Sequence, residues 1–332
     1  MKDQEIQVLE QYDININSTR KTRGAVLCDT KQGLMLLKKV SVSNKRIHLL
    51  FHLCEHLREK GILRIDQIVE NRDKQLVSQG SDGERYVLKQ WFAGKECEVR
   101  KEEDVLLAVK NLAEIHQALR NADVQPEEEF VYEGEDLRRT YERHNRELKK
   151  VRSFIRKKVE KGEFELLFLK NYDAMYNIAQ EMEKRLNESE YESLLRESRL
   201  QNRMIHGDYN YHNILMTPRG IATTNFEHFR QDVQILDLYY FMRKLMEKNQ
   251  WNSFLGNKIL EAYANVLPLD NRELELLAIN LSYPEKFWKA ANSYYRSNKV
   301  FVPIKCLEKL QVSVKQEDMR KQFLEQIFSF HL

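Results

Sequence analysis

The chain has 332 residues, of which 42% are hydrophobic and 32% charged, with a formal net charge of +3. This is the composition of a globular protein, and the charge is too small to indicate a nucleic-acid partner. Only 11 Gly and 5 Pro argue against an all-β protein with many tight turns. Four cysteines without a C-x-x-C pair favour a reducing compartment. The sequence begins without an apolar leader and has no stretch long enough to span a membrane, so we expect neither secretion nor a membrane partner.

The first ninety residues mix predicted strands with one helix. The elements are strands over 23–30 and 34–40, a helix from about 45 to 60 capped by Ser43 and Asn44, and a hairpin of 76–80 with 84–91. The segment 17–24 has one glycine among basic and hydroxyl residues. It is therefore only a weak candidate for a loop that covers phosphates by charge.

Lys38 ends the second predicted strand and is the candidate to pair with the phosphates of ATP. Its neighbour Lys39 points to the opposite face of the strand. In protein kinases an acidic residue on the following helix holds such a lysine. Glu55 is the best placed and Glu59 the second. The alternative is that these are simple surface lysines.

The sequence changes from strand-rich to helix-rich near 92–102. We therefore predict an α+β protein with a β-rich domain over 1–92 and a helical domain over 93–332, which carries a catalytic hairpin at 204–229. We expect a hinge near 90–94, and the candidates to contact a nucleotide beside it are four residues at the end of the last strand, Leu88, Lys89, Gln90 and Trp91.

Residues 206–215, HGDYNYHNIL, contain the spacing H-x-D-x-x-x-x-N of a phosphotransferase catalytic loop. Asp208 is the candidate general base, which accepts the proton of the attacking hydroxyl. Asn213 is the candidate Mg²⁺ ligand and also orients Asp208. His206, the remaining catalytic candidate, is expected to brace the loop by hydrogen bonds. Asp237 is expected to support the same loop from inside the protein.

The segment 221–227 bears most directly on activity, because Asn225 stands where a kinase has Asp. A carboxylate brings a full negative charge to Mg²⁺, whereas a carboxamide brings only a neutral oxygen. Glu227 lies two residues further on and would face the same way in an extended segment, which would restore the charge. Two interpretations remain open. One is a metal site formed by Asn213, Asn225 and Glu227, and the other is a site that no longer binds a metal.

Three stretches carry a resemblance to the CotS-type spore coat proteins of endospore-forming bacteria, which belong with the aminoglycoside phosphotransferase and choline kinase group. They are 206–215, 90–97 (QWFAGKEC), and 282–289 (SYPEKFWK) followed by 292–295 (NSYY). The Tyr211-His212 pair stands where antibiotic kinases commonly have Pro-Gly. The likeness spans about residues 10 to 325.

This resemblance implies a bilobal protein-kinase-like fold, with a small β-rich N-lobe, a large and mostly helical C-lobe, and ATP between them. It implies ATP, Mg²⁺ and a small hydroxyl- or amine-bearing substrate, with Asp208 matching the base, Asn213 a metal ligand and Lys38 the phosphate lysine. It also implies a path from the mother-cell cytoplasm into the spore coat, with other coat proteins as partners. Asn225 departs from the usual Asp, so catalysis itself is not implied.

Two functions of different classes follow. The first is a coat-associated phosphotransferase that acts on an unknown small molecule or coat component. The alternative is a catalytically inactive pseudokinase that serves as an assembly module of the coat. Its partner surfaces would be the basic amphipathic helix predicted at 138–161 and the aromatic segment 283–295, although the latter also suits core packing between helices.

Overall fold

A computed structural model describes residues 3–22, 24–81, 83–122, 134–296 and 304–331. The chain divides into two compact units. The first comprises residues 1–132 with 200–237, and the second 133–199 with 238–332. The sheets belong to the first unit and most helices to the second, so the α+β class is confirmed. The domain boundary near residue 92 stays a prediction.

Among the described residues, the first unit holds all the strands and three whole helices. Its elements are α1 (Asp3–Leu9), β1 (Ile16–Thr22), β2 (Ala25–Thr30), β3 (Gly33–Lys39), α2 (Asn44–Glu59), β4 (Ile68–Val69), β5 (Ser78–Gln79), β6 (Arg85–Gln90), β7 (Lys95–Glu96), α3 (Glu102–Ala118), β8 (Met204–Ile205), β9 (Ile214–Thr217), β10 (Gly220–Thr223) and β11 (Arg230–Gln231). Short 3₁₀ turns lie at Tyr211–Asn213 and Phe226–His228.

Three antiparallel sheets organise this unit. The largest has the strand order β1-β2-β3-β6-β4, with β5 also paired to β6. Its apolar face packs with α1 in a core that contains Val8, Tyr12, Leu37 and Leu88. Because side chains alternate along a strand, the neighbouring positions of β3 and β6 face the other way. Two smaller sheets, β10-β9-β7 and β11-β8, hold the segment that contains the H-x-D-x-x-x-x-N spacing.

The elements predicted before residue 92 are confirmed in kind, with shifted ends. The side-chain oxygen of Ser43 accepts a hydrogen bond from the backbone N–H of Arg46 and caps α2. Helix α1 and three strands escaped prediction, namely β1 and the two-residue β4 and β7. The weak candidate for a phosphate loop is largely β1, whose side chains are all exposed and which pairs with β2 through its backbone.

The second unit is helical. Its helices are α4 (Leu137–Lys157), α5 (Glu163–Glu188), all but the last residue of α6 (Tyr191–Leu200), the greater part of α7 (Ile235–Lys248), α8 (Ser253–Ala264), α9 (Asn271–Ser282), α10 (Glu285–Arg296), α11 (Ile304–Lys315) and α12 (Glu317–Phe328). No described helix is long and apolar enough to cross a membrane.

The aromatic segment 283–295 belongs mainly to the core of the second unit. Tyr283, Phe287 and Tyr294 are buried. The ring of Phe287 stacks on Phe168 at 5.1 Å between centroids, and Tyr294 stacks on Phe164 at 4.5 Å. These three rings are therefore used in packing and do not form an assembly surface.

Candidate functional site

Two short antiparallel pairings fix both ends of the candidate catalytic loop, residues 206–213. β8 directly precedes the loop and pairs with β11, and β9 directly follows it and pairs with β10. The buried carboxylate of Asp237 accepts hydrogen bonds from the backbone N–H groups of His206 (2.7 Å) and Gly207 (3.0 Å) and lies 3.1 Å from His116 Nε2. Burial would raise the pKa of Asp237, but the hydrogen bond with His116 holds it below its usual value. The supporting role expected of Asp237 is confirmed.

His206 acts on the backbone of the loop. Its ring is fully buried, with Nε2 3.0 Å from the carbonyl oxygen of Thr224 and Nδ1 accepting from the backbone N–H of Asp208 at 3.1 Å. These contacts make Nδ1 the acceptor and Nε2 the donor of a neutral imidazole. His206 therefore positions Asp208, which is the bracing role expected of it.

Asp208 is held by two carboxamides of its own loop. Asn210 Nδ2 donates to Asp208 Oδ1 at 3.0 Å, and Asn213 Nδ2 donates to Oδ2 at 3.0 Å. Asn213 also donates to the carbonyl oxygen of Asp208 at 2.8 Å. The carboxylate is half-buried and fixed in direction, as a base that receives a proton from a bound hydroxyl requires.

Asn225 links this loop to the sheet. Its backbone is left-handed (φ 64°, ψ 51°), a conformation that Asn adopts more readily than most residues. The side-chain Nδ2 donates to Asn213 Oδ1 at 2.8 Å, and Oδ1 accepts from Lys38 Nζ at 3.2 Å. A continuous chain of hydrogen bonds therefore runs from Asp208 through Asn213 and Asn225 to Lys38.

A cluster of two lysines and two carboxylates adjoins that chain, and we call it the lysine–carboxylate cluster. Glu227 Oε1 lies 2.8 Å from Lys38 Nζ and 2.8 Å from Lys89 Nζ. Lys89 Nζ also lies 2.8 Å from Asp66 Oδ2, which in turn accepts the backbone N–H of Asn225 at 2.9 Å. The Lys89 and Asp66 side chains are each 1% exposed, whereas the side chain of Lys38 is 32% exposed.

Mutual compensation keeps Lys89 and Glu227 charged despite their burial. Burial would raise the pKa of Glu227, but Lys89 and Lys38 more than offset it and hold that pKa far below its usual value. Burial would lower the pKa of Lys89, but Asp66 and Glu227 hold it above the usual range. For Asp66 burial is the larger effect and raises the pKa, although Lys89 offsets part of it. Lys89 and Glu227 are thus an ion pair at neutral pH.

The partner expected for Lys38 on α2 was wrong. Glu55 pairs with His52 at 3.4 Å, and its side chain is 45% exposed. Lys38 contacts Glu227 instead. The residue that α2 sends toward the 225–229 segment is Arg46, whose guanidinium donates to the carbonyl oxygens of Glu227 (3.1 Å) and Phe229 and lies 3.6 Å above the Phe229 ring.

The four residues at the end of β6 divide between the two faces of the sheet. Lys89 faces the cluster, but Leu88 lies on the opposite face in the core with α1, and we no longer assign it to the nucleotide site. The backbone N–H groups of Gln90 and Trp91 donate to the carbonyl oxygens of Gln67 and Leu34, both at 2.8 Å. Nucleotide contacts by Gln90 and Trp91 stay predictions.

The residues expected to hold Mg²⁺ do not fit a divalent cation in this arrangement. Asn213 Oδ1, Asn225 Oδ1 and Glu227 Oε1 each accept a hydrogen bond from within the protein. Glu227 is the only carboxylate of the three, and two ammonium groups share it, whereas Mg²⁺ in proteins is held largely by carboxylates and phosphates. Across the described ranges, no group of three or more His, Cys, Asp or Glu side chains is arranged to hold a metal ion.

Sequence reasoning missed Asp66 and Arg46. Asp66 lies between two isoleucines in the run Ile65-Asp66-Gln67-Ile68, which indicates a carboxylate carried into the interior. A buried carboxylate needs a cationic partner, and Lys89 in the apolar strand β6 is the matching signal. Arg46 gave no comparable signal, because an arginine in the first turn of a helix is ordinarily exposed.

Comparison with known proteins agrees with the fold. Spore coat protein S of Bacillus subtilis (strain 168) is 23% identical over 341 residues, covering 97% of this chain and 93% of that protein. The crystal structure of an aminoglycoside phosphotransferase from Alicyclobacillus acidocaldarius matches with a TM-score of 0.87 at 20% identity, covering 98% of this chain and 95% of that one. The AMP-bound spectinomycin phosphotransferase matches with a TM-score of 0.64 at 13% identity, covering 99% and 98%.

These likenesses show a protein-kinase-like fold for this chain, as its sequence predicted. The model of the family described as "Spore coat putative kinase YutH" matches residues 5–327, which is nearly the whole sequence. The chain belongs to this spore coat family.

Proposed function

We propose that this protein binds a nucleotide at the site of Lys38, Asp208, Asn213 and Asn225 and acts in the spore coat as a phosphotransferase. The observation that carries the proposal is the continuous hydrogen-bonded chain from Asp208 to Lys38. It aligns a candidate base, two carboxamides and one partly exposed ammonium group within a fold whose relatives include an AMP-bound phosphotransferase. The acceptor is a small hydroxyl- or amine-bearing molecule or a coat component.

Each residue has a distinct part in the proposed reaction. The ammonium group of Lys38 binds phosphate oxygens, for which its exposed fraction leaves room. Asp208 accepts the proton of the acceptor hydroxyl as that oxygen attacks phosphorus, and Asn213 and Asn210 keep the carboxylate aimed. His206 and Asp237 hold the backbone of the loop and take no proton in the reaction.

A thermal-shift titration with ATP tests nucleotide binding. We expect a saturable rise in Tm for the wild type, because a ligand that binds only the folded state stabilises it. The rise should be lost in Lys38→Ala and kept in Lys39→Ala, since Lys39 points to the other face and pairs with Glu84. No shift in the wild type at millimolar ATP would contradict the proposal.

Asp208→Asn separates binding from transfer. Loss of a general base lowers the rate by about 10² to 10⁴, whereas the ATP-dependent rise in Tm should persist because Lys38 is unchanged. The measurement is the release of ADP with a panel of amine- and hydroxyl-bearing acceptors. Equal turnover by Asp208→Asn and the wild type would remove Asp208 from the mechanism.

A second candidate function is a non-catalytic assembly module of the coat. It is favoured because the side-chain oxygens of Glu227 and Asn225 that would bind a metal already accept hydrogen bonds from lysines. Its surface would be the basic face of α4, where Arg146, Lys149, Lys150, Arg156 and Lys157 are exposed. Spores that carry Asp208→Ala at normal protein level distinguish the candidates. A coat defect supports the enzyme, and a normal coat supports the assembly module.

A further inference from the structure

The lysine–carboxylate cluster places an ammonium group of the protein itself on the oxygens that a metal ion would use. Lys38 Nζ lies 2.8 Å from Glu227 Oε1 and 3.2 Å from Asn225 Oδ1. The remaining candidate oxygen, Asn213 Oδ1, accepts from Asn225 Nδ2 at 2.8 Å. A cation is therefore already built into this position.

Lys89 makes the arrangement difficult to undo. Its ammonium group is buried between Asp66 and Glu227, at 2.8 Å from each. If Lys38 turns away to meet a phosphate, Glu227 still has Lys89 as its partner and is not released as an anionic ligand. A divalent cation that approached Glu227 would also meet the positive charge of Lys89, and the repulsion doubles for a doubly charged ion.

The carboxylates of the cluster do not outnumber its ammonium groups. Lys38 and Lys89 supply two positive charges, and Asp66 and Glu227 supply two carboxylates. A kinase site for Mg²⁺ needs uncompensated negative charge, because the ion gives up hydration water only for strong oxygen ligands. Asn225 stands where a kinase has Asp, and this replacement removes the carboxylate that would give the cluster an excess of negative charge.

We propose that this site binds nucleoside di- or triphosphates without a divalent cation, with the Lys38 ammonium group in place of the metal as the charge that faces the phosphates. The inference rests on the proposed nucleotide binding and specifies how it is achieved. Phosphate oxygens reach Lys38 from its exposed side while Glu227 and Asn225 hold it from behind.

Isothermal titration of the full-length protein with ATP, once in EDTA and once in excess MgCl₂, tests the inference. For the wild type we expect binding in EDTA to be at least as tight as in MgCl₂, because the site offers no ligand to the Mg²⁺ that ATP carries in the second buffer. Lys38→Met should weaken binding in EDTA about tenfold or more, the effect of losing one charge-assisted hydrogen bond. Lys39→Met, on the same strand but the other face, should bind like the wild type. In Asn225→Asp, where a second carboxylate is restored, Mg²⁺ should strengthen binding about tenfold.

The outcomes separate the two proposals. Binding by the wild type in MgCl₂ but not in EDTA overturns the metal-free inference and leaves the proposed function standing. No binding in either buffer overturns the proposed function, and the inference with it. Equal binding by Lys38→Met and the wild type in EDTA also overturns the inference, provided that circular dichroism shows both proteins folded.

Discussion

At the scale of single residues, Lys89 decides how the charges of the site are arranged. Its side chain is 1% exposed and bridges Asp66 and Glu227. Removing one partner of a buried ionic group costs more than the group contributes, because the remaining charges lose their compensation. The cluster is thus a structural element of the first unit as well as the proposed site.

Lys89→Met should lower the free energy of unfolding by about 3 to 5 kcal/mol, since Asp66 and Glu227 are left buried without the ammonium group between them. Urea denaturation measures the loss. Lys39→Met is the control and should cost less than about 1 kcal/mol, because its ion pair with Glu84 is exposed. A loss no larger in Lys89→Met than in this control would contradict the account.

Gly207 is required by both its backbone conformation and its surroundings. Its φ is +81°, and a Cβ atom there would lie 2.1 Å from the carbonyl oxygen of His228. Gly207→Ala should therefore lower the free energy of unfolding by about 4 kcal/mol or more, a magnitude typical of a severe steric conflict in a folded protein. Gly61→Ala is matched in φ (+89°) with no atom within 4 Å, so it should lose only about 1 to 2 kcal/mol. Equal losses in thermal unfolding would show that strain alone acts at both positions.

The site was predictable from the sequence only where its residues share one loop. The spacing between His206 and Asn213 places Asp208 beside Asn213 because eight consecutive residues form the turn. The partner of Lys38 was missed because Glu227 lies 189 positions away, and only tertiary packing brings the two together. Leu88 was misassigned because the sequence shows that strand residues alternate but not which face meets the site.

At the scale of elements, the pattern of apolar residues predicts helices and strands that bury one face. It does not reveal a strand that is held only by backbone hydrogen bonds. α2, β3 and β6 each have a buried side, and each was predicted. β1 has seven exposed side chains, and its position depends on backbone pairing with β2. A short basic edge strand of this kind has no apolar alternation to reveal it.

Helix α9 offers a test of local stabilisation. Asp270 accepts from the backbone N–H of Glu273, and Glu273 accepts from the backbone N–H of Asp270, a reciprocal capping box. Asp270→Ala should lower the free energy of unfolding by about 1 to 2 kcal/mol. Glu275→Ala, exposed on the same helix, should change it by less than about 0.5 kcal/mol. Similar urea midpoints for the two variants would show that the cap contributes nothing measurable.

At the scale of the whole molecule, one buried histidine of the second unit should make stability depend on pH. Burial lowers the pKa of His144 from 6.5 to about 4, although Glu285 lies 3.9 Å away. Its ring stacks on Trp288 with centroids 3.3 Å apart. The folded protein therefore keeps His144 neutral at a pH where the unfolded chain protonates it.

Because the unfolded state binds the proton first, stability should fall as the pH drops below 6.5 and level off near pH 4. The loss is on the order of 3 kcal/mol, at about 1.4 kcal/mol per unit of pKa difference. Urea denaturation between pH 7 and pH 4 measures it, with His144→Gln as the control that lacks the titrating group. Parallel losses in the two proteins would exclude His144 as the cause.

In the proposed arrangement, Lys38 faces the phosphates of a nucleotide bound without metal. Labelling with an acyl-phosphate derivative of ATP, which transfers its acyl group to a lysine near the phosphates, tests it most directly. Peptide mass spectrometry in EDTA should find Lys38 acylated and protected by excess ATP, while any labelling of exposed Lys39 should be insensitive to ATP. Labelling of Lys38 that ATP does not suppress, or suppresses only with Mg²⁺, would contradict the claim.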